Sequence, residues 1–340
     1  MKSRVVAFAA IVLLGTVALA QLKVEVALVT VVATVTDDKG RYVADLKPED
    51  FIVQEDGQTQ TVSHLSQSND LPVSVGVTLD TSGSMERKIT TASNAVDRFV
   101  RSVHKDDDIF LMTFANRPIL EQDFTDDRDR LSRALQRVRV GGDTALYDAL
   151  HDSLRKMEKG KHPKKAVLLI TDGADTSSYD TFDDARLSVR ESEMLVYCIG
   201  ISPASGGPLS EQPPGGPSRN PRQTPNPSTF PFPFPRIPGL PLAPQGPRNQ
   251  RNADTVDMDV LNAFADVSGG KAWLLSGDWS EGRVNQIDRI MDEIAAELRN
   301  QYTLGYYPSH SFNDGRWHRI EIRMKNPKYH VRTRKEYFGA

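Results

Sequence analysis

Cysteine is almost absent from this 340-residue sequence, whose one cysteine is Cys198. A single thiol cannot form an internal disulfide, so the fold must be held together by its core. Cys198 lies within the apolar run 194–201, and we predict that it is a small, buried, apolar side chain.

A strong net charge is also lacking, since the whole sequence carries −3. Without Lys2 and Arg4 the chain has 40 basic and 45 acidic residues, a net charge of −5. This balance gives no general attraction to nucleic acids or anionic membranes, and it disfavours both as partners.

The first 20 residues resemble a secretory signal peptide. Lys2 and Arg4 form a basic start, residues 5–17 form an apolar core, and Ala18-Leu19-Ala20 resembles a cleavage site. The alternative is an uncleaved anchor, but the apolar core is shorter than the roughly 20 residues that cross a bilayer. We therefore predict an exported protein, periplasmic or extracellular, with no stable membrane span after cleavage of residues 1–20.

The middle of the chain, residues 72–300, alternates apolar runs with amphipathic segments. This alternation is typical of an α/β fold with a doubly wound, mostly parallel sheet, here of six strands. The predicted strands are 73–80, 108–115, 165–171, 194–201 and 271–275, with a short edge strand near 118–122. The predicted helices are 86–103, 126–138, 145–158, 182–192, 257–267 and 282–299.

Both ends of the chain show β-strand character, residues 21–70 before this unit and residues 301–340 after it. Apolar residues alternate within each end, as in the run from Val29 to Val35. Neither end is large enough to be stable alone. We therefore predict one small β-sandwich-like domain made from both ends, with the α/β unit inserted into it.

Two segments leave their role open. Residues 203–250 contain 15 of the 21 prolines, a composition that favours a disordered or polyproline II extension. This extension is either a spacer or a segment that docks another protein. Residues 316–335 carry eight Lys or Arg and one acidic residue, and they form either an anion-binding strip or the solvated face of two strands.

A constellation of oxygen-bearing side chains begins where the predicted strand 73–80 ends. Asp80, Ser82 and Ser84 alternate along a short loop in which Gly83 permits a tight turn. The carboxyl end of a strand in an open α/β sheet is where ligands bind. A hard cation is the natural occupant of such a loop.

Two further pieces fall at the same edge of the predicted sheet. Thr144 follows Gly141-Gly142-Asp143 just before a helix, and Asp172 ends another strand and precedes Gly173. Two carboxylates and three hydroxyls approach the octahedral oxygen shell of Mg²⁺, with water completing it. We therefore predict a metal site for Mg²⁺ or Mn²⁺ with one position left open.

These motifs resemble the metal-ion-dependent adhesion site of von Willebrand factor A domains, over about residues 72–299. The chain ends, including the segments 46–51 and 304–307, are similar to the flanks of an exported bacterial family called von Willebrand factor A related, common in Acidobacteria. The resemblance implies that Ser82, Ser84 and Thr144 bind the metal directly, while Asp80 and Asp172 often act through water.

The same resemblance implies an adhesion-type function, in which the open metal position takes a Glu or Asp side chain of a partner protein. Asp143, Gly83 and Gly173 are expected to border the ligands. Asp143 departs from the commoner Gly-Gly-Thr spacing by one inserted acid.

Two other functions stay in competition with adhesion. The same site would serve an envelope assembly or chaperone-like factor, and a metal with carboxylates can also support hydrolysis. The enzyme is disfavoured because no nucleophile elbow, His-Glu-x-x-His motif or phosphate loop occurs, and the seven histidines show no metal-ligand spacing. We predict no catalytic residues, and we expect His151 to be a surface residue of a helix.

Overall fold

The computed structural model describes residues 28–67, 71–202, 256–275, 281–310 and 314–339, and of residues 281–285 it describes the backbone alone. The predicted signal peptide at 1–20 and the proline-rich segment 203–250 lie outside the described residues.

The α/β unit contains a six-stranded sheet in the order β10-β9-β8-β5-β6-β7. Its strands are β5 (Val73–Asp80), β6 (Asp108–Phe114), β7 (Pro118–Thr125), β8 (Lys164–Thr171), β9 (Leu195–Ile201) and β10 (Ala272–Leu275). All pairs are parallel except that of β6 with the edge strand β7. The predicted mostly parallel sheet of six strands is confirmed.

Six α-helices accompany this sheet among the described residues. They are α1 (Ile89–Ser102), α2 (Arg128–Leu135), α3 (Leu146–Met157), α4 (Phe182–Ser192), α5 (Met258–Ser268) and α6 (Glu281–Arg299). Helices α1, α2 and α6 share one core cluster with the sheet, and α3, α4 and α5 share the other. The central strands are therefore buried on both faces, which explains their continuous apolar runs. None of the described helices has the length and apolar character needed to cross a membrane.

Cys198 lies in β9 and is fully buried, as predicted. Burial raises the pKa of its thiol well above the ordinary range. The thiol therefore stays protonated and packs as a small apolar group.

The two chain ends combine into two four-stranded sheets, ordered β13-β1-β11-β4 and β14-β12-β2-β3. Strands from before the α/β unit are β1 (Val29–Asp37), β2 (Phe51–Glu55), β3 (Gln58–Gln60) and β4 (Val62–Gln67). Strands from after it are β11 (Gln301–Tyr306), β12 (Trp317–Met324), β13 (Tyr329–Thr333) and β14 (Glu336–Phe338). One core cluster joins both sheets, and within it the rings of Phe51 and Tyr302 meet edge to face at 5.7 Å. The predicted β-sandwich from both ends is present.

The sandwich lies at the amino ends of the parallel strands. Val73 of β5, Lys164 of β8 and Leu195 of β9 line a cavity of about 610 Å³ together with Thr30 and Val32 of β1. The carboxyl ends of the same strands, where the oxygen-bearing loops begin, are at the far end of the sheet.

Glu297 on α6 connects the two units through polar contacts. It is 1% exposed, and it accepts hydrogen bonds from Thr34 Oγ1 of β1 at 3.1 Å and from the Tyr197 hydroxyl of β9 at 2.8 Å. Arg332 of β13 forms an ion pair with the same carboxylate. One buried carboxylate thus joins a helix and a strand of the α/β unit to two strands of the sandwich.

The basic segment 316–335 is only in part the solvated strand face that the sequence suggested, and several of its charges pair with acidic residues instead of forming an anion-binding strip. Arg332 pairs with Glu297, and Arg334, only 7% exposed, lies 2.5 Å from Glu193 at the end of α4. Arg323 instead pairs with Glu321 on an exposed strand face, as the solvated-face interpretation requires. Part of the positive charge therefore holds the sandwich to the α/β unit.

Candidate metal centre

Asp80, the last residue of β5, is fixed by hydrogen bonds on both carboxylate oxygens. The backbone N–H of Ser82 donates to Oδ1 at 2.8 Å, and Thr171 Oγ1 donates to Oδ2 at 2.5 Å. The side chain is fully buried. Its position is therefore set by the strand end, by the loop that follows and by the end of β8.

The two serines of the loop lie next to the second carboxylate. Ser82 Oγ and Ser84 Oγ are 3.0 Å apart, and Ser84 Oγ donates to Asp172 Oδ1 at 2.6 Å. Ser82 and Asp172 are buried, whereas Ser84 is exposed. The oxygens thus form a continuous group that opens to solvent on the Ser84 side.

The loop that carries Thr144 is tied to this group by main-chain hydrogen bonds. The N–H of Gly83 donates to the carbonyl of Gly142 at 3.0 Å, and the N–H of Gly141 donates to that of Thr81 at 2.8 Å. Thr144 is 5% exposed, and a Cβ added to Gly173 would lie 3.5 Å from its Oγ1. Thr144 is therefore held beside the residue that follows Asp172.

Gly142 shows why this loop needs glycine. Its φ is +93°, and a Cβ at this position would lie 2.6 Å from Asn116 Oδ1. The same Asn116 oxygen accepts a hydrogen bond from the N–H of Asp143 at 2.6 Å. Any side chain at position 142 would displace the asparagine that positions the Thr144 loop.

Lys88 is a member of the site that sequence reasoning missed. Its ammonium group is buried and pairs with Asp172 Oδ2, the carboxylate oxygen that Ser84 does not contact. A signal for it exists in the sequence, because Lys88 is spaced by four and eight residues from the buried Ala92 and Val96 of α1. A lysine in phase with an apolar helix face has its charged end inside the protein, where it requires an anion.

The charges of the site favour a cation. With both carboxylates ionised, Asp80 and Asp172 exceed the charge of Lys88 by one negative unit in a buried position. Burial raises the pKa of Asp80 to about 6, although hydrogen bonds from Thr171 and Ser82 act in the opposite direction. A raised carboxylate pKa means that the isolated negative charge is unfavourable there, so a bound cation would relieve a real electrostatic cost.

The donor set fits a hard divalent ion. Asp80, Ser82, Ser84, Thr144 and Asp172 supply oxygen alone, from three neighbouring loops, and oxygen is the ligand atom that such ions prefer. The structure thus brings the predicted loops to one edge of the sheet. Asp143 is exposed, and His151 lies 3.0 Å from Asp180 on the surface of α3, as expected for a surface histidine.

The sequence between residues 75 and 174 matches the model of the von Willebrand factor type A domain family. This segment runs from β5 through the loop after β8, and it includes every residue of the site described above. No curated protein matches the sequence.

Several solved structures are similar in fold. The von Willebrand factor domain of the type V pili tip protein Mfa5 from Porphyromonas gingivalis is 23% identical, covers 31% of this chain and 39% of its own, and has a TM-score of 0.30. The conserved protein BatB from Bacteroides thetaiotaomicron is 15% identical, with coverages of 66% and 98% and a TM-score of 0.42. Proximal thread matrix protein 1 from the mussel byssus, with a zinc-occupied MIDAS motif, is 12% identical, with coverages of 72% and 49% and a TM-score of 0.47. The chain therefore spans less than half the length of the first and the third of these structures.

Proposed function

Because the α/β unit carries a von Willebrand factor type A domain, we propose that this chain is a metal-dependent protein-binding module of the adhesion type. It captures an acidic side chain of a partner through one divalent cation held by Asp80, Ser82, Ser84, Thr144 and Asp172. The observation that carries the proposal is the convergence of these oxygens on one sheet edge, buried on the carboxylate side and exposed at Ser84.

The proposed ion is Mg²⁺ or Mn²⁺. All five side chains offer hard oxygen atoms, and histidine and cysteine, which favour softer transition metals, do not belong to the set. The three hydroxyls are neutral, so they leave the charge of a cation largely uncompensated. When bound, the cation supplies an electrophilic coordination position that a carboxylate can fill.

The protein's own hydrogen bonds limit how far its carboxylates neutralise the ion. Both oxygens of Asp80 already accept hydrogen bonds, and one oxygen of Asp172 pairs with Lys88. These contacts reduce the negative charge that each carboxylate offers to a bound cation. This arrangement supports recognition of an external Glu or Asp rather than a site closed by internal acids.

We propose that the chain functions outside the cytoplasm, because residues 1–20 resemble a signal peptide. An envelope assembly or chaperone-like factor would use the same site and differs only in the partner. A hydrolase would need a general base beside the metal. His151, the histidine nearest in sequence to Thr144, contacts Asp180, and we therefore propose binding without catalysis.

A peptide-display selection against the full chain in Mg²⁺ buffer tests this function. The selected peptides are expected to contain a Glu or Asp whose replacement by Gln or Asn abolishes binding, and a chelator should release them because the cation forms the contact. A matched screen with phosphate and ester substrates tests the hydrolase. Binding that survives both chelation and the Glu→Gln change would contradict the proposal.

Metal affinity should fall at acidic pH. Because the pKa of Asp80 is raised to about 6, the proton competes with the cation below that value, and affinity should drop about tenfold per pH unit there while staying flat above it. Stability in the absence of metal should show the opposite pH dependence. The folded chain binds the Asp80 proton more tightly than the unfolded chain does, so the free energy of unfolding should fall as pH rises from about 4 to 6. Calorimetric titration with Mg²⁺ at pH 7 and pH 5 measures the first effect. Equal affinity at both values would contradict it.

A further inference from the structure

A second group of metal-ligating side chains lies in the β-sandwich, far in sequence from the first site. Glu55 ends β2, His318 is in β12, and His310 follows β11. One ligand atom from each of the three lies within 4.8 Å of the others. The spacing of the histidines in the sequence gives no sign of this cluster, because its carboxylate comes from a strand 255 residues from His310.

The buried carboxylate of Glu55 has unused bonding capacity. Glu55 is 2% exposed, and its Oε1 accepts hydrogen bonds from the Tyr337 hydroxyl at 2.6 Å and lies 2.6 Å from His310 Nε2. Its Oε2 is buried and lacks a hydrogen bond of good geometry among the described residues, and the buried Tyr306 hydroxyl is the polar group beside this carboxylate. An unpartnered carboxylate oxygen inside a protein is costly, and a cation would satisfy it.

Ring nitrogens of both histidines lie close to carboxylate oxygens, His310 to Glu55 and His318 to Asp56. His318 Nδ1 lies 3.8 Å from Glu55 Oε1 and 2.8 Å from Asp56 Oδ2. The ligand atoms of a tetrahedral zinc ion lie roughly 3.3 Å apart, since each metal–ligand bond is about 2.0–2.1 Å. The contact between Glu55 and His310 has to open by about 1 Å to admit an ion. The His310 and His318 rings are stacked 3.8 Å apart with 13° between their planes, so one ring also has to turn before both nitrogens point at the same ion.

Asp314 contacts the other ring nitrogen of His318 and lies near His310 without a hydrogen bond to it. Its Oδ1 lies 3.1 Å from His318 Nε2, and its Oδ2 lies 3.9 Å from His310 Nδ1. A carboxylate that takes the second ring N–H of a ligating histidine fixes the tautomer and leaves the other nitrogen free for the metal.

From this geometry we propose that the sandwich holds a second metal site, selective for Zn²⁺, with Glu55, Asp56, His310 and His318 as ligands and Asp314 as a positioning residue. Two neutral imidazoles and two carboxylates balance the charge of Zn²⁺ and match its preferred nitrogen and oxygen ligands. The site does not depend on the function proposed for the first one.

The location of the second site gives an ion access from solvent and would let a bound ion stabilise the sandwich. A cavity of about 290 Å³ is lined by all five residues, and the Asp56 side chain is 49% exposed, so solvent reaches the site. Two ligands come from before the α/β unit and two from after it. A bound ion would therefore join the two chain ends and stabilise the sandwich.

The competing occupant is a proton. Burial alone lowers the pKa of His318, but hydrogen bonds to Asp56 and Asp314 outweigh burial and raise it. A protonated imidazole between two carboxylates would hold the same groups together without a metal. The experiment has to separate these two states.

Equilibrium dialysis distinguishes the Zn²⁺-bound site from the proton-held network. The tag-free full chain is dialysed against Zn²⁺ with excess Mg²⁺ to fill the oxygen-only site, and elemental analysis then measures the bound Zn²⁺. We expect one Zn²⁺ per chain in wild type and in Ser82→Ala, and a higher thermal unfolding midpoint with Zn²⁺. His310→Ala should bind Zn²⁺ more than about 100-fold more weakly, and Asp314→Asn about 10–100-fold more weakly. His330→Ala is the matched control, because His330 lies on an exposed face of the same sandwich, 3.1 Å from Asp38.

Circular dichroism shows whether each variant is folded. If His310→Ala does not fold, Asp314→Asn still tests the proposal. Substitution with Co²⁺ should give the visible bands of a tetrahedral site in wild type and in Ser82→Ala. A wild-type chain that retains no Zn²⁺ overturns the proposal in favour of the proton-held network. Equal Zn²⁺ retention in wild type, His310→Ala and Asp314→Asn overturns it as well.

Discussion

Replacing Ser82 by alanine is expected to weaken Mg²⁺ binding by more than about 100-fold. The change deletes a proposed direct ligand, and loss of a group that only supports a ligand already costs about 10–100-fold. Ser82 is 2% exposed, and alanine at this position offers no oxygen atom in place of the lost hydroxyl. The protein should stay folded, since the Ser82 hydrogen bond to Asp80 comes from the backbone N–H and survives the change. Calorimetric titration with Mg²⁺ and Mn²⁺ measures the loss.

Ser63→Ala is the matched control for this prediction. Ser63 is exposed on β4 of the sandwich, and its hydroxyl lies 3.4 Å from the carbonyl of Thr61, a local contact only. The control should bind Mg²⁺ as wild type does. If Ser82→Ala binds equally well, or if wild type binds neither ion, the metal assignment at Ser82 fails.

Replacing Glu297 by alanine is expected to lower the free energy of unfolding by about 3 kcal/mol, at the lower end of the range for breaking a buried ion pair. The change leaves Arg332 without its anion and removes the acceptor of hydrogen bonds from Thr34 and Tyr197. The lower end applies because the Arg332 side chain is 35% exposed and water can solvate it in part. Urea denaturation measures the difference.

Glu293→Ala is the control for Glu297, one helical turn earlier on α6. Its side chain is 39% exposed and pairs with Lys271, which is also partly exposed. A surface pair of this kind contributes at most about 1 kcal/mol. Equal losses in the two variants would show that Glu297 is not the connection between the units that its contacts indicate.

The α/β sheet and the approach of the oxygen-bearing loops to one edge of it were predictable from sequence for the same reason. Strands such as β5 and β8 are buried on both faces, so they appear as apolar runs, and the residues that end them must meet at one edge. Asp80 and Asp172 end such runs, and Thr144 stands immediately before a helix. Their approach thus follows from the parallel topology without knowledge of any side-chain contact.

Lys88 and Glu297 were not predictable in the same way. Glu297 is a charged residue on an amphipathic helix and Lys88 immediately precedes one, and in such segments charge usually indicates the solvated face. Lys88 is buried because Asp172, 84 residues later, supplies its anion, and Glu297 is buried because Arg332 approaches from the sandwich. Periodicity places Lys88 in phase with the apolar face of α1, but it does not identify the partner of either residue, because each partner belongs to a distant segment.

The Glu55, His310 and His318 cluster shows the same limit more sharply. Antiparallel pairing of β2 with β12 places Glu55 opposite Ile320, two residues from His318. The register of two strands from opposite ends of the chain creates the cluster. Histidine spacing alone could not reveal it, because Glu55 precedes His310 by 255 residues.

The location of the sandwich at the amino ends of β5, β8 and β9 has a mechanical consequence. A strand of eight residues spans roughly 26 Å, so the oxygen-rich edge and the sandwich are separated by the full length of the sheet. Tension between a partner gripped at that edge and an anchorage at the sandwich would run along the strands. Hydrogen bonds between parallel strands cross this direction, so they would be loaded in shear and share the force.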